Sequence, residues 1–177
     1  DGLLRISIQD VLKDIAPNSL LFELLSPLGF NSDQIKDIHR SMLQHQSGKR
    51  FLSQKWEVIR DREYLWIQRL GGQTVTPSMV LKEVEYNNTF IIPKDNRIAC
   101  VDADKITKPL TIRKWQKGDK FAPFGMNGKK KVSDYMTDKK FSLIKKEHQY
   151  VVCCGEQIVW LVNERIDNRF RITEQTQ

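Results

Sequence analysis

The feature that most constrains this chain is a change of hydrophobic period at Arg50: apolar residues upstream recur at helical spacing, whereas those downstream alternate. One packed element cannot satisfy both periods, so helices and strands must follow one another. Three helical runs precede the switch. Ser7, with Asp10 three residues on, caps a run carrying Val11, Leu12 and Ile15 that stops at Pro17. A second run carries Leu20, Leu21, Leu24 and Leu25 and breaks at Pro27 and Gly29. In the third, Asn31 at the cap and Gln34 at N3 can bond reciprocally and Phe30 can staple onto Ile35. Ile35, Ile38 and Met42 share its apolar face, and Gly48 is the expected stop.

After the switch, Phe51 to Ile59 and Tyr64 to Leu70 flank the polar turn Arg60-Asp61-Arg62-Glu63, which predicts a β-hairpin. Residues 71–78 have no apolar period and hold both Gly and Pro, so they read as a linker dividing a domain at 1–74 from one at 75–177. Beyond it, Val80 to Tyr86, Thr89 to Ile92 and Arg97 to Val101 are strand-like, with an Asn87-Asn88 turn after the first. Tyr150 to Cys154, Ile158 to Val162 and Phe170 to Thr173 are strand-like too. One helix is expected around Val132 to Lys139, with Val132, Tyr135 and Met136 on a face. The fold class is therefore α+β: a small helical domain with a β-hairpin, then a mixed, mainly β C-terminal domain.

The apolar fraction of 40% excludes a disordered chain, and the longest apolar runs, such as Ile158 to Val162, are strand-sized rather than membrane-spanning. Three cysteines, two of them adjacent, argue against a disulfide scaffold and for a reducing, cytoplasmic compartment. His39, His45 and His148 are scattered, so no metal site is expected. Asp1-Gly2-Leu3-Leu4-Arg5 carries neither an initiator Met nor a signal region, and reads as a piece of something longer.

The net charge of +7 is unevenly spread. Between Lys108 and Tyr150 stand twelve basic and four acidic residues, leaving the rest about neutral. Clustered cations attract polyanions and release their counterions. The expected electrostatic surface is Arg113, Lys114, Lys117, Lys120, Lys129, Lys130, Lys131, Lys139 and Lys140, with Gly118, Pro123 and Gly125 shaping the loop among them. Asp119 and Asp134 would orient neighbouring cations. Trp115, Phe121, Phe124 and Tyr135 lie between the cations; such rings can stack on bases, although in a strand-rich domain each is more often core. Trp115 and Trp160 are assigned to the core. Backbone N–H groups at the start of the expected helix, beside Lys129, Lys130 and Lys131, offer a phosphate site, yet Gly125 and Gly128 stand too close together for a Walker loop. No catalytic motif is present. Asp102 and Asp104, an i, i+2 carboxylate pair that would share one strand face, read as structural.

Asp102-Ala103-Asp104-Lys105, the run Leu110 to Phe121 (Leu-Thr-Ile-Arg-Lys-Trp-Gln-Lys-Gly-Asp-Lys-Phe), Gly128 to Asp134, and the tail Arg165-Ile166-Asp167-Asn168-Arg169-Phe170-Arg171 resemble the C-terminal domain of bacterial tRNA(Ile)-lysidine synthetases. The helices ending in Gly48-Lys49 and the following hairpin resemble that family's substrate-binding domain. The resemblance implies an ATP-dependent ligase that adenylates the wobble cytidine of the minor tRNA(Ile) with a CAU anticodon and attaches free lysine. It also implies that ATP and Mg²⁺ belong to an N-terminal domain with a Ser-Gly-Gly-x-Asp-Ser loop. This sequence does not contain that loop; Gly71-Gly72-Gln73-Thr74 lacks its serines and aspartate. By the same resemblance no catalytic residue lies here, the final domain shares a fold with the phenylalanyl-tRNA synthetase β subunit, and these residues hold tRNA. Two other readings are a protein-interaction module that docks an acidic partner or forms a homodimer through strand edges, and a generic RNA-binding domain.

Overall fold

The computed structural model describes residues 3–71, 77–87 and 89–176. The chain divides into two compact units, Asp1–Thr74 with Ser142–Ile144, and Val75–Phe141 with Lys145–Gln177.

The first unit runs β1 (Leu3–Ser7), α1 (Ile8–Lys13), α2 (Pro17–Leu25), α3 (Ser32–Leu43), β2 (Arg50–Leu52), β3 (Trp56–Asp61) and β4 (Tyr64–Arg69). The Ser7 hydroxyl accepts from the Asp10 amide at 3.3 Å, as its spacing predicts. The run stops earlier than expected. α1 ends at Lys13, Ile15 is fully exposed, and Pro17 opens α2, where its missing N–H is not needed. At α3 the reciprocal cap forms: Asn31 Oδ1 accepts from the Gln34 amide at 2.9 Å and Gln34 Oε1 from the Asn31 amide at 3.1 Å. That helix closes at Gln44, with His45 in the left-handed region, while Gly48 (φ 94°) instead turns the chain toward β2.

The sheet is wider than one hairpin, an antiparallel set in the order β1-β4-β3-β2. Strand β3 continues through Arg60 and Asp61, so the turn narrows to Arg62-Glu63, with Arg62 at φ 49° as a two-residue hairpin turn requires. Leu21, Leu25, Ile35, Ile38 and Met42 pack against Val58, Leu65 and Ile67 to form the core.

In the second unit, residues 77–101 form no strand among those described. Val80, Leu81, Val84, Ile91, Ile92 and Ile98 are exposed instead. The three runs expected there have the side chains of strands but no ladder to join, and β-propensity is realised only through packing against a partner. The expected linker falls mostly on residues 72–76, and Asn88 of the expected turn is also outside the described residues; the Asn87 carboxamide accepts from the Thr89 amide at 3.0 Å.

Then come a 3-10 turn at Ala103–Lys105, β5 (Leu110–Lys114), β6 (Lys120–Phe121), β7 (Lys130–Lys131), α4 (Val132–Asp138), α5 (Leu143–Glu147), β8 (Tyr150–Cys154), β9 (Gln157–Leu161) and a 3-10 turn at Asn168–Phe170. Asp102 and Asp104 therefore share no strand face. Asp102 caps the first 3-10 turn, pairs with Lys105 at 2.9 Å and accepts from the Thr176 hydroxyl at 2.8 Å. The expected strand at Phe170 to Thr173 is likewise replaced by the second turn, because the Asp167 side chain caps it. An antiparallel sheet ordered β5-β8-β9 and a separate ribbon of β6 and β7 enclose Phe121, Val132, Tyr135, Met136, Val151, Ile158 and Leu161. The whole is an α+β fold. No helix among the described residues is long and apolar enough to cross a membrane.

Candidate nucleic-acid interface

The ribbon decides where charge collects. Its register sets Lys120 directly opposite Lys131 and Phe121 opposite Lys130. Phe121 is fully buried, edge-on to Tyr135 with ring centroids 5.3 Å apart, so alternation turns Lys120 and Lys131 outward to solvent. Two like charges directly across a strand pair destabilise it. Nothing within the unit offsets them: among the described residues, Lys114, Lys117, Lys120, Lys129, Lys131 and Lys139 are exposed and form no ion pair.

The other expected cations are placed differently. Arg113 grips Asp119 with two parallel hydrogen bonds of 2.8 and 2.9 Å and donates to the Lys114 carbonyl at 3.0 Å. Burial pushes the Asp119 carboxyl up, but Arg113 and the Gln116 amide outweigh it and hold the group below the usual carboxylate range. Arg113 thus fixes the turn that presents Lys114, Lys117 and Lys120, with Gly118 supplying φ 103° at its apex. Lys130, half-buried, pairs with Asp138. Lys140 is exposed in the left-handed region just past α4, its amide donating to the Thr137 carbonyl at 2.9 Å. Asp134 takes the Ser133 hydroxyl rather than a cation. The start of α4 has no side-chain cap, and the helix is only seven residues long.

Of the interleaved aromatics, Phe121 and Tyr135 are core, and Trp115 packs against that core while its indole N–H donates to the Lys146 carbonyl at 2.6 Å. Trp160 is half-buried on β9. Phe124 remains exposed.

One residue that sequence reasoning passes over organises the loop between the ribbon strands. Asp167 is fully buried, and its carboxylate accepts from the Ala122 amide at 2.8 Å, the Arg169 amide at 2.9 Å and the Arg169 guanidinium at 2.9 and 2.8 Å. Burial would raise its pKa; the Arg169 side chain, then the two amides, reverse this and leave it below the ordinary value. Pro123, buried, bridges to Asp167 through the backbone, so the loop is stitched down at its base. The available signal is the Asp-x-Arg spacing, which favours an Asx-type turn.

The Lys120–Lys131 pair makes a two-sided prediction. Lys120→Glu replaces a repulsion by an attraction across the ribbon and should raise stability by about 0.5 kcal/mol, a melting-temperature gain of roughly 2–4 °C. The same change removes a cation from the exposed surface and should weaken polyanion binding. Calorimetry beside an RNA-binding titration checks both signs, and a fall in melting temperature would show that the lysines are not in conflict.

The chain's similarity to known proteins covers both units. The profile described as the TilS substrate binding domain matches residues 1–70, and that described as the TilS substrate C-terminal domain matches residues 110–177. The tRNA(Ile)-lysidine synthase of Bacteroides thetaiotaomicron is 51% identical over 175 residues, 97% of this chain and 41% of that protein. Its counterpart in Parabacteroides distasonis is 41% identical over 187 residues, 98% of this chain and 42% of that protein. The enzyme of that name from Clostridium acetobutylicum shares 36% identity over 76 residues, 43% of this chain and 16% of that protein. The chain thus spans about two-fifths of the length of the first two relatives. With both domain profiles matched in order and half its residues shared with the Bacteroides protein over nearly its full extent, the chain belongs to the tRNA(Ile)-lysidine synthase family.

Proposed function

We propose that this chain is the tRNA-holding part of a lysidine-forming ligase, in which residues 1–74 act as the substrate-binding domain and residues 75–177 as a C-terminal domain that grips the tRNA body. The observation that carries the reading is the mutually repelling Lys120 and Lys131, unpaired among the described residues, with Lys114 and Lys117 beside them on a turn fixed by Arg113 and Asp119 and Lys129 in the loop that joins β6 to β7. Placing one base of a large folded RNA in a distant active site needs phosphate contacts from rigid elements rather than base-reading pockets. The reaction proposed for the whole enzyme is ATP-dependent adenylation of the wobble cytidine in the CAU anticodon of minor tRNA(Ile), followed by attachment of free lysine. ATP, Mg²⁺ and lysine are assigned to a pyrophosphatase-loop domain whose signature is not in this sequence, so this chain alone is expected to form no adenylate. The second unit is proposed to share the fold of the phenylalanyl-tRNA synthetase β subunit domain, and the cytoplasm is its proposed location.

The test is binding of the 177-residue chain to unmodified minor tRNA(Ile) beside elongator tRNA(Met) across a salt titration. A steep loss of affinity with salt is expected. Preference for the first RNA would place identity reading partly in these domains, and equal binding would make them a sequence-blind clamp. No binding at low salt would sink the proposal and favour a protein partner.

A further inference from the structure

Phe124 is the one interleaved aromatic that the fold does not use. The residue is 47% exposed, in the loop that joins β6 to β7, so it and the Lys120–Lys131 pair stand on the same hairpin. One exposed apolar side chain is ordinary by itself; what singles out Phe124 is that it stands on the hairpin that presents the unpaired lysines.

The backbone beneath the ring is held on several sides. The Phe124 amide donates to the Ile166 carbonyl at 2.9 Å, the Phe124 carbonyl accepts from Arg165 Nη1 at 2.7 Å, and the Asn168 amide donates to the Ala122 carbonyl at 2.7 Å. A ring on so fixed a base loses little freedom when a flat ligand settles on it.

Beside the ring lies a shallow, wide-open surface hollow of about 450 Å³, lined by Phe124, Arg171, Ile172, Thr173, Glu174 and Gln175. Its chemistry discriminates between RNA groups. Arg171 is exposed and donates one hydrogen bond of 3.3 Å to Asn168 Oδ1, leaving further guanidinium donors for a phosphate or a base acceptor. Glu174, exposed on the same wall, repels phosphate but accepts from the exocyclic amino group of cytosine or adenine. A wall with one cation, one carboxylate, a carboxamide and a ring suits a base more than a backbone.

We infer that Phe124 and this hollow form a stacking site for one unpaired RNA base, with Glu174 and Arg171 at the base edge. The inference rests on the tRNA-holding reading and deepens it: the ribbon lysines neutralise phosphates, while the loop between them takes an unstacked nucleotide. Its source is either the single-stranded 3′ end or a loop of the tRNA.

The 177-residue chain, Phe124→Ala and Phe124→Trp are titrated at one salt concentration against four RNAs. These are intact minor tRNA(Ile) transcript, the same transcript lacking its unpaired 3′ end, its anticodon stem-loop, and a blunt duplex. Phe124→Ala should bind intact transcript about tenfold more weakly, as expected for one lost base–aromatic stack, while Phe124→Trp binds at least as well as the parent. If the deficit of Phe124→Ala vanishes on the trimmed transcript, the base comes from the 3′ end; if it persists there and appears on the stem-loop, the base comes from the anticodon loop. An equal deficit on the blunt duplex, or none on any RNA, would overturn the stacking site while leaving the ribbon reading intact. Failure of the parent chain to bind any RNA would overturn both. An unchanged melting temperature confirms that the loop has not simply collapsed.

Discussion

Asp167→Ala is expected to lower the melting temperature of the basic unit by more than about 10 °C, while Asp95→Ala leaves it nearly unchanged. The two aspartates begin the same tripeptide, Asp-Asn-Arg, and make the same local turn. At Asp95 the Arg97 amide donates at 2.9 Å and its guanidinium at 2.8 Å; at Asp167 the matching distances to Arg169 are 2.9 and 2.8 Å. What differs is burial and one extra donor. Asp95 is in solvent contact, whereas Asp167 is fully buried and also takes the Ala122 amide from the ribbon loop. Truncating Asp167 leaves the Ala122 and Arg169 amides without their acceptor, at about 1–3 kcal/mol for each buried donor. Against the 5–15 kcal/mol typical of a small domain, a loss of about 3 kcal/mol is large.

Acid provides a second readout. The Asp167 carboxyl is held below its ordinary value, so its contribution is present above the unfolded value near 3.8 and is lost as pH falls through the lower folded value. The melting temperature of the parent chain should therefore fall more steeply below about pH 4 than that of Asp167→Ala. Asp95, although held at about 2 chiefly by hydrogen bonds from Arg97, is in solvent contact where screening leaves its ion pair little effect on stability, and serves as the control. Equal shifts for the two variants in calorimetry would show that the shared turn, not the buried site, sets stability.

The second large effect is on RNA. Changing Lys114, Lys117, Lys120 and Lys131 together to glutamine should weaken tRNA binding by more than about 100-fold near 0.1 M salt and make the log–log salt slope shallower by about three, at roughly 0.7–0.9 per lost phosphate contact. Folding should not suffer, because all four side chains are exposed and unpaired among the described residues. Lys13→Gln with Lys82→Gln, which removes two exposed charges elsewhere, is the control; a loss there half as large on the logarithmic scale would mean that net charge, not this surface, drives binding.

The parts of this fold that are legible in sequence are those whose partners are close in sequence. The Asn31–Gln34 cap, the Ser7 cap, the β3–β4 hairpin and the Val132–Tyr135–Met136 face all close within a few residues or one turn. β1 is not legible, because Leu3–Ser7 becomes a strand only by pairing with Tyr64 to Gln68, far downstream. The reverse error occurs at Val80 to Val101, where strand-like composition meets no partner strand among the described residues. At the candidate site, charge density singles out the segment but does not separate presented cations from engaged ones. Arg113 is engaged because a glycine turn brings Asp119 back to it, and Lys130 because α4 ends with Asp138 beside the ribbon. Lys120 facing Lys131 needed the register, which a two-residue strand does not reveal on its own.

The exposed aliphatic run from Val80 to Ile92 bears on colloidal behaviour. Val80, Leu81, Val84, Ile91 and Ile92 are the kind of side chains that drive strand-to-strand aggregation, and Lys82, Glu83, Glu85 and Pro93 are interspersed as gatekeepers. Three of those gatekeepers act through charge, so added salt screens them. Under the proposed tRNA-holding role, the ionic strength that would free the ribbon lysines from RNA also brings the chain closer to self-association, so its working window of salt would be bounded on both sides.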